Sequence, residues 1–230
     1  MKLVLFDIDG TLLWTDGAGR RAMEGALHEV FGRGGDPAYR YDGKTDRQIT
    51  REQMRTAGFD DAFISARIDD TLAAYSRRLD AELERDALAS RLCLGVLPLL
   101  DAVEAHEHAT MGLLTGNIEY GARRKLRAVG VEFTRFTVNA FGSDHEHRPE
   151  LPSVAQRRAH EILGMPIDGS QMVIIGDTPA DIQCGRSLGV RAIGVATGRY
   201  SVSELAEHNP AAVFATLEDT DAVLAAILGE

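Results

Sequence analysis

The stretch VLFDIDGTLL, residues 4–13, decides the fold. Val4, Leu5 and Phe6 form an unbroken apolar run of strand-forming residues, the pattern of a strand buried on both faces. Asp7 and Asp9 follow at once, and Gly10 and Thr11 come next. Packing alone gives no reason to put carboxylates at the mouth of a buried strand, because unpaired buried charge is costly. The pair therefore points to chemistry at a strand end.

Beyond this strand, residues 17 to 85 carry only helical periodicity. Ala18, Ala22, Ala26 and Val30 recur every four residues with Met23, Leu27 and Phe31 beside them, which predicts an amphipathic helix. Ile64, Ile68, Leu72, Tyr75 and Leu79 predict another of about four turns. Between them lies YDGKTDRQI, where Gly43 marks a turn and Asp46 is placed to cap a shorter helix. From about residue 88 short apolar strands alternate with helices: TMGLLTG, MVIIGD and VRAIGVATG read as strands, and 119–129, 152–163 and 179–188 as helices. That alternation predicts an α/β fold, a Rossmann-like parallel sheet with helices on both faces. The first strand needs neighbours that come only after the helical segment. Residues 1–15 and 86–230 are thus expected to form the core domain, and 16–85 an inserted all-helical cap.

Composition narrows the classes. The 230 residues carry 25 basic and 35 acidic side chains, a net charge of −10, and no clustered Lys and Arg that would suit a nucleic acid. No apolar run approaches the length of a membrane span, and the N-terminal run is too short for a signal peptide. Cys93 and Cys184 stand far apart, fit neither a disulfide framework nor a zinc site, and read as small core residues in a reducing compartment. A cytoplasmic location is expected. The sequence does not specify an oligomeric state.

In an open parallel sheet, ligands bind beyond the carboxyl ends of the strands. The polar clusters sit at such ends: Asp7 and Asp9 after the first strand, Thr115, Gly116 and Asn117 after MGLL, and Asp177 with Asp181 after MVIIG. Acids gathered in one crevice repel each other unless a cation lies among them, and an all-oxygen donor set points to Mg2+. Magnesium with open positions favours phosphate oxygens. Thr115 and Asn117 offer donors for those oxygens, and Arg148 offers a fixed positive fork.

The combination resembles the haloacid dehalogenase-like hydrolases, and within them the phosphoglycolate phosphatase-like group with a helical cap. DIDGT is similar to the family's first motif, LLTGN to its second, HRPEL to the region of its third and GDTPAD to its fourth. The resemblance implies a Mg2+-dependent phosphatase of small phosphomonoesters, phosphoglycolate first among them. Asp7 would be the nucleophile that forms an aspartyl phosphate, and Asp9 the acid and base. Asp7, the Asp9 carbonyl and Asp177 would hold Mg2+, and Asp181 would orient these ligands. Gly10, Thr11, Thr115, Gly116, Asn117 and Arg148 would surround the phosphate. The family's third motif usually has Lys before Pro, whereas here Arg148 precedes Pro149. The basic residues Arg20, Arg21 and Lys44 of the cap could meet a second charge on the substrate.

Other readings stand beside these. DIDG alone suits a turn, although an EF-hand loop is excluded because Gly10 is fourth and Thr11 fifth. Asp177 and Asp181 could instead cap the next helix. Arg148 could be a solvated charge, and His145 and His147 lack a third ligand at zinc spacing. A sugar phosphomutase would keep both acids, but such mutases of this family carry a His after the first motif, and TDGAGRRAMEGA has none. A non-catalytic phosphate-binding protein on the same scaffold is the rival of another class.

Overall fold

The computed structural model describes residues 1–85 and 89–229. Strand β1 (Lys2–Phe6) leads through β2 (Leu13–Trp14) into four helices, α1 (Ala18–Phe31), α2 (Asp46–Thr56), α3 (Asp61–Ser65) and α4 (Ile68–Arg85). The chain returns through β3 (Arg91–Leu92) and continues with α5 (Val96–Ala105), β4 (Ala109–Thr115), α6 (Glu119–Ala128) and β5 (Val138–Phe141). It ends with α7 (Leu151–Leu163), β6 (Met172–Gly176), α8 (Pro179–Cys184), β7 (Arg191–Val195), α9 (Val202–Ala206), β8 (Ala212–Phe214) and α10 (Thr220–Leu228).

Six strands form one sheet in the order β5-β4-β1-β6-β7-β8, and every pairing is parallel. β1 is central, with Phe6 opposite Leu113 of β4 on one side and Ile175 of β6 on the other. Its side chains divide between two layers, as a strand's twofold alternation requires. Val4 and Phe6 join a cluster with residues of α5, α6 and α10, and Leu3 and Leu5 join one with residues of α7. The apolar run is therefore continuous because both faces are covered.

β2 and β3 pair antiparallel, Leu13 against Leu92 and Trp14 against Arg91, and make a narrow neck. Above the neck, α1 to α4 share their own apolar cluster, in which Ala22, Met23, Ala26 and Leu27 of α1 meet Leu72, Tyr75 and Leu79 of α4. The expected boundary between residues 85 and 86 and the change of pattern near residue 88 touch residues 86–88, which lie outside the described residues.

Two local expectations differ from the structure. The stripe from Ile64 to Leu79 spans a break: Ile64 belongs to α3, which ends at Ser65, and α4 begins at Ile68. Apolar spacing continued across the break because both helices face the same cluster. Asp46 is the first residue of α2 rather than its cap. Thr45 is the cap, its side chain accepting from Gln48 N, and this frees the Asp46 carboxylate to accept from Ile118 N at 2.8 Å. Cys93 and Cys184 are buried and unbridged, as their isolation predicted. No helix among the described residues is long and apolar enough to cross a membrane.

Candidate active site

The parallel sheet brings the C-terminal ends of β1, β4 and β6 side by side, and Asp7, Thr115 and Asp177 stand there in a row. Carboxylate oxygens of Asp7, Asp177 and Asp181 lie within 4.8 Å of one another, and all three residues are buried. Burial raises the Asp7 carboxyl to about 6; Arg148 opposes that rise, and the charges of Asp181 and Asp9 add to it. Asp177 is pushed well above the carboxylate range by burial and by the neighbouring Asp181 and Asp7. An all-oxygen cluster that resists ionising beside its neighbours fits a hard divalent cation.

Asp177 is held by a tight cradle. Thr11 Oγ1 donates to its Oδ1 at 3.0 Å. Gly10, at φ 82°, has the left-handed backbone that favours glycine, and a Cβ there would stand 2.4 Å from Asp177 Oδ2. A Cβ on Gly198, in the loop after β7, would stand 1.8 Å from the same oxygen. Thr197, next to it, donates its hydroxyl to Gly10 O at 2.6 Å and accepts from Trp14 Nε1 on its carbonyl at 3.1 Å. The end of β7 thus braces the first acidic loop.

Arg148 is buried at 4% exposure, in a short turn that leads into α7. Its guanidinium approaches Asp7 Oδ1 at 3.2 Å and forms a very close pair with Asp181. Burial disfavours the charged guanidinium, but Asp181 and Asp7 outweigh that and hold it cationic. Asp181 does two things. It completes a capping box with Thr178, accepting from Thr178 N at 3.0 Å, and it anchors Arg148. The helix-capping alternative is thus realised by Thr178 and Asp181, while Asp177 stays at the strand end.

Asp9 faces differently. Its side chain is 40% exposed, whereas that of Asp7 is 8% exposed. Asn117 Nδ2 donates to Asp9 Oδ2 at 2.7 Å and to Thr115 Oγ1 at 2.9 Å. Lys125 Nζ, nearly buried, lies 2.8 and 2.7 Å from the two Asp9 oxygens and 2.7 Å from Asn117 Oδ1. The sequence reading missed Lys125. A signal was available: Ala122 and Leu126 mark the inward face of α6, and Lys125 falls on it, three residues after Ala122.

The helices α1, α2 and α4 roof a cavity of about 300 Å³ over these acids. Met23, Tyr41, Ile49 and Tyr75 line it together with Asp46. Burial raises the Asp46 carboxyl to about 6, against the opposing effects of Lys125 and of the Ile118 N–H. The roof is fastened to the sheet ends: Asp46 N donates to Gly116 O at 2.9 Å, Thr45 Oγ1 donates to Glu146 O at 2.6 Å, and Arg51 Nε pairs with Glu146 at 2.5 Å. Lys44 and Arg20 border the cavity, but both are engaged. Lys44 Nζ pairs with Glu52 at 2.6 Å, and Arg20 pairs with Glu24 at 2.8 Å while donating to the carbonyls of Tyr39 and Pro37. Arg21 turns to Glu82 at 2.7 Å.

Acids at the ends of β1 and β6, a donor-bearing loop after β4 and a buried cation before α7 thus border one crevice. A family model described as haloacid dehalogenase-like hydrolase matches residues 4–186. The chain belongs to this family.

Solved structures of similar architecture span nearly the whole chain. A hydrolase from Pseudomonas syringae is 20% identical with a TM-score of 0.70, covering 97% of this chain and 98% of that one. A predicted phosphoglycolate phosphatase from Haemophilus somnus 129PT is 19% identical with a TM-score of 0.67 over the same shares, 97% and 98%. CbbY from Rhodobacter sphaeroides, solved in complex with phosphate, is 18% identical with a TM-score of 0.65, covering 95% and 96%. At these identities the likeness is one of fold. Among curated proteins, none matches the chain.

Proposed function

We propose that this haloacid dehalogenase-like hydrolase is a Mg2+-dependent phosphatase that cleaves a small phosphorylated metabolite in the cytoplasm, with residues 16–85 as its cap. One observation carries the reading: Asp7 is buried beside Arg148 and Asp177, while Asp9, two residues on, opens into the roofed cavity. That division suits a nucleophile kept dry and an acid that meets the leaving group.

In the first step an Asp7 oxygen bonds to phosphorus as the bond from phosphorus to the ester oxygen breaks, and Asp9 gives its proton to the departing oxygen. In the second, water attacks phosphorus, its proton passes to Asp9, and the bond to Asp7 breaks to release phosphate. Arg148 offsets charge on the phosphoryl oxygens beside Asp7, and Asp181 keeps its guanidinium in place. The Asp7 and Asp177 carboxylates with the Asp9 carbonyl would hold Mg2+, which would neutralise charge shared by the acids and the phosphate. Thr11 and the two glycines hold Asp177, and the fastened roof limits water at the reacting centre.

The cavity also bears on the substrate. With Lys44 and Arg20 already paired to Glu52 and Glu24, neither stands ready for a second anion. The cavity combines Tyr41, Tyr75, Met23 and Ile49 with Asp46, Arg91 and Arg199, which suits a small organic phosphate with a partly apolar alcohol portion. The test is phosphate release from a panel of phosphomonoesters with and without Mg2+. Asp9→Asn should lower turnover about 10²- to 10⁴-fold, and Asp7→Asn at least as much. Release that ignores Mg2+ or survives Asp7→Asn would refute the reading. Release confined to phosphate esters with no apolar portion would refute the substrate class.

A further inference from the structure

We infer that Lys125 is a positioning residue for Asp9, fixing the carboxylate that serves the leaving group. The inference rests on the phosphatase reading above. Its physical basis is the closed triangle of Asp9, Asn117 and Lys125.

A Lys ammonium has three donors, and three acceptors surround this one: both Asp9 oxygens, at 2.8 and 2.7 Å, and Asn117 Oδ1, at 2.7 Å. Asn117 closes the triangle by donating its Nδ2 to Asp9 Oδ2 at 2.7 Å. Its amide orientation follows from the network, since the oxygen meets an ammonium and the nitrogen meets a carboxylate and the Thr115 hydroxyl. Asp9 is therefore gripped from behind while its side chain stays 40% exposed toward the cavity. The ammonium itself lies beneath the roof: a methyl group on Gly19 of α1 would stand 3.1 Å from Nζ.

Anchoring α6 does not require a charge at this place. Neighbouring positions on the same face, Ala122 and Leu126, are fully buried and apolar, and an apolar residue at 125 would extend that contact without desolvating an ammonium. Arg148 does not share the task, because its pairs are Asp7 and Asp181. The two buried cations among the described residues are thus divided, one for the nucleophile and one for the acid. Without Lys125, Asp9 keeps a single side-chain partner, Asn117, and loses the second direction that fixes its rotamer.

Leaving-group dependence separates this role from a structural one. An alkyl phosphate needs its departing oxygen protonated, whereas 4-nitrophenolate leaves with little help. The value of kcat/KM reports the steps through that departure. Lys125→Met is expected to lower kcat/KM for an alkyl phosphate about 10²-fold, the scale of a misplaced catalytic group, and for 4-nitrophenyl phosphate less than about threefold. Lys125→Arg, which keeps the charge and its donors, should recover part of the alkyl loss. In an Asp9→Asn background, Lys125→Met should cost nothing further, because it acts through Asp9. Equal losses on both esters, or additive losses in the double variant, would overturn the inference.

Crystal structures of the wild type and Lys125→Met give a readout without turnover. A spread or rotated Asp9 carboxylate in the variant is expected, and an unmoved one would overturn the inference. A wild type inactive on every ester would refute the phosphatase reading, while these structures would still decide the role of Lys125.

Discussion

Replacing Gly198 with alanine should disable the acid cluster without disturbing the sheet. The new Cβ would lie 1.8 Å from Asp177 Oδ2 and 2.6 Å from its Cγ, and contacts under 3.0 Å are essentially never seen for real Cβ atoms. Asp177 must therefore withdraw by at least about 1.2 Å, or the loop after β7 must move by as much. Gly10 blocks retreat on one side, since a Cβ there would already stand 2.4 Å from Oδ2, and the Thr11 hydroxyl holds Oδ1. A misplacement of about 1 Å at a reacting centre costs about 10²-fold in rate, so Gly198→Ala should lose about that much phosphate release. The assay is a Mg2+ titration of turnover, run beside thermal unfolding without metal. The unfolding temperature should fall only modestly, because the loop after β7 lies outside the sheet and can take up part of the overlap, while the Mg2+ concentration for half-maximal activity rises. Gly194→Ala is the control, since its Cβ would meet Leu205 at an ordinary 3.4 Å. Wild-type turnover with unchanged Mg2+ dependence in Gly198→Ala would refute the cradle argument.

Magnesium should stabilise the fold, by about 2.7 kcal/mol at roughly 100 times its Kd, which for a chain of this size raises Tm by roughly 5–10 °C. Asp177→Asn should abolish that shift in a calorimetric scan and, by relieving carboxylate repulsion, leave the metal-free protein no less stable. A Tm indifferent to Mg2+ in the wild type would count against the metal site. Asp46 gives a pH signature. Its carboxyl is raised from 3.8 to about 6 by burial, so between those values the folded chain keeps a proton that the unfolded chain has released. Stability from this group is complete below pH 3.8 and falls as pH rises through 6, by at most about 3 kcal/mol for a two-unit shift. Asp46→Asn keeps an acceptor for Ile118 N and removes that loss. Denaturant unfolding should show the variant gaining on the wild type from pH 4 to pH 7.5, and parallel curves would refute the assignment.

Much of the architecture was legible because it depends on short-range pattern. Val4 to Phe6 read as a doubly buried strand, and β1 is the central strand of the sheet. The helical repeats of α1 and α4 read correctly, because one face of each is buried against the other. The break between α3 and α4 did not, since spacing by three and four survives a break when both pieces face one cluster. β5 and β8 escaped notice as well: both are outer strands of only four and three residues. Among the acids, Asp7, Asp9, Asp177 and Asp181 were picked out by local motif, as was Arg148 beside its proline. Lys44 and Arg20 carried the right charge in the right region, but Glu52 and Glu24 occupy them, and such pairings depend on side-chain direction rather than on sequence spacing.

The sequence by itself thus determined the strand that opens onto acids, the helical segment after it and the residue types of the candidate site, because each is written within a few turns of chain. The tertiary structure alone decided which groups serve which acid. Lys125 meets Asp9 across 116 residues, Asp46 meets the Ile118 N–H across 72, and Gly198 closes on Asp177 only because β7 lies beside β6. The order of strands in a parallel sheet sets these encounters. That order is fixed by packing over the whole chain and leaves no mark in any short stretch of it.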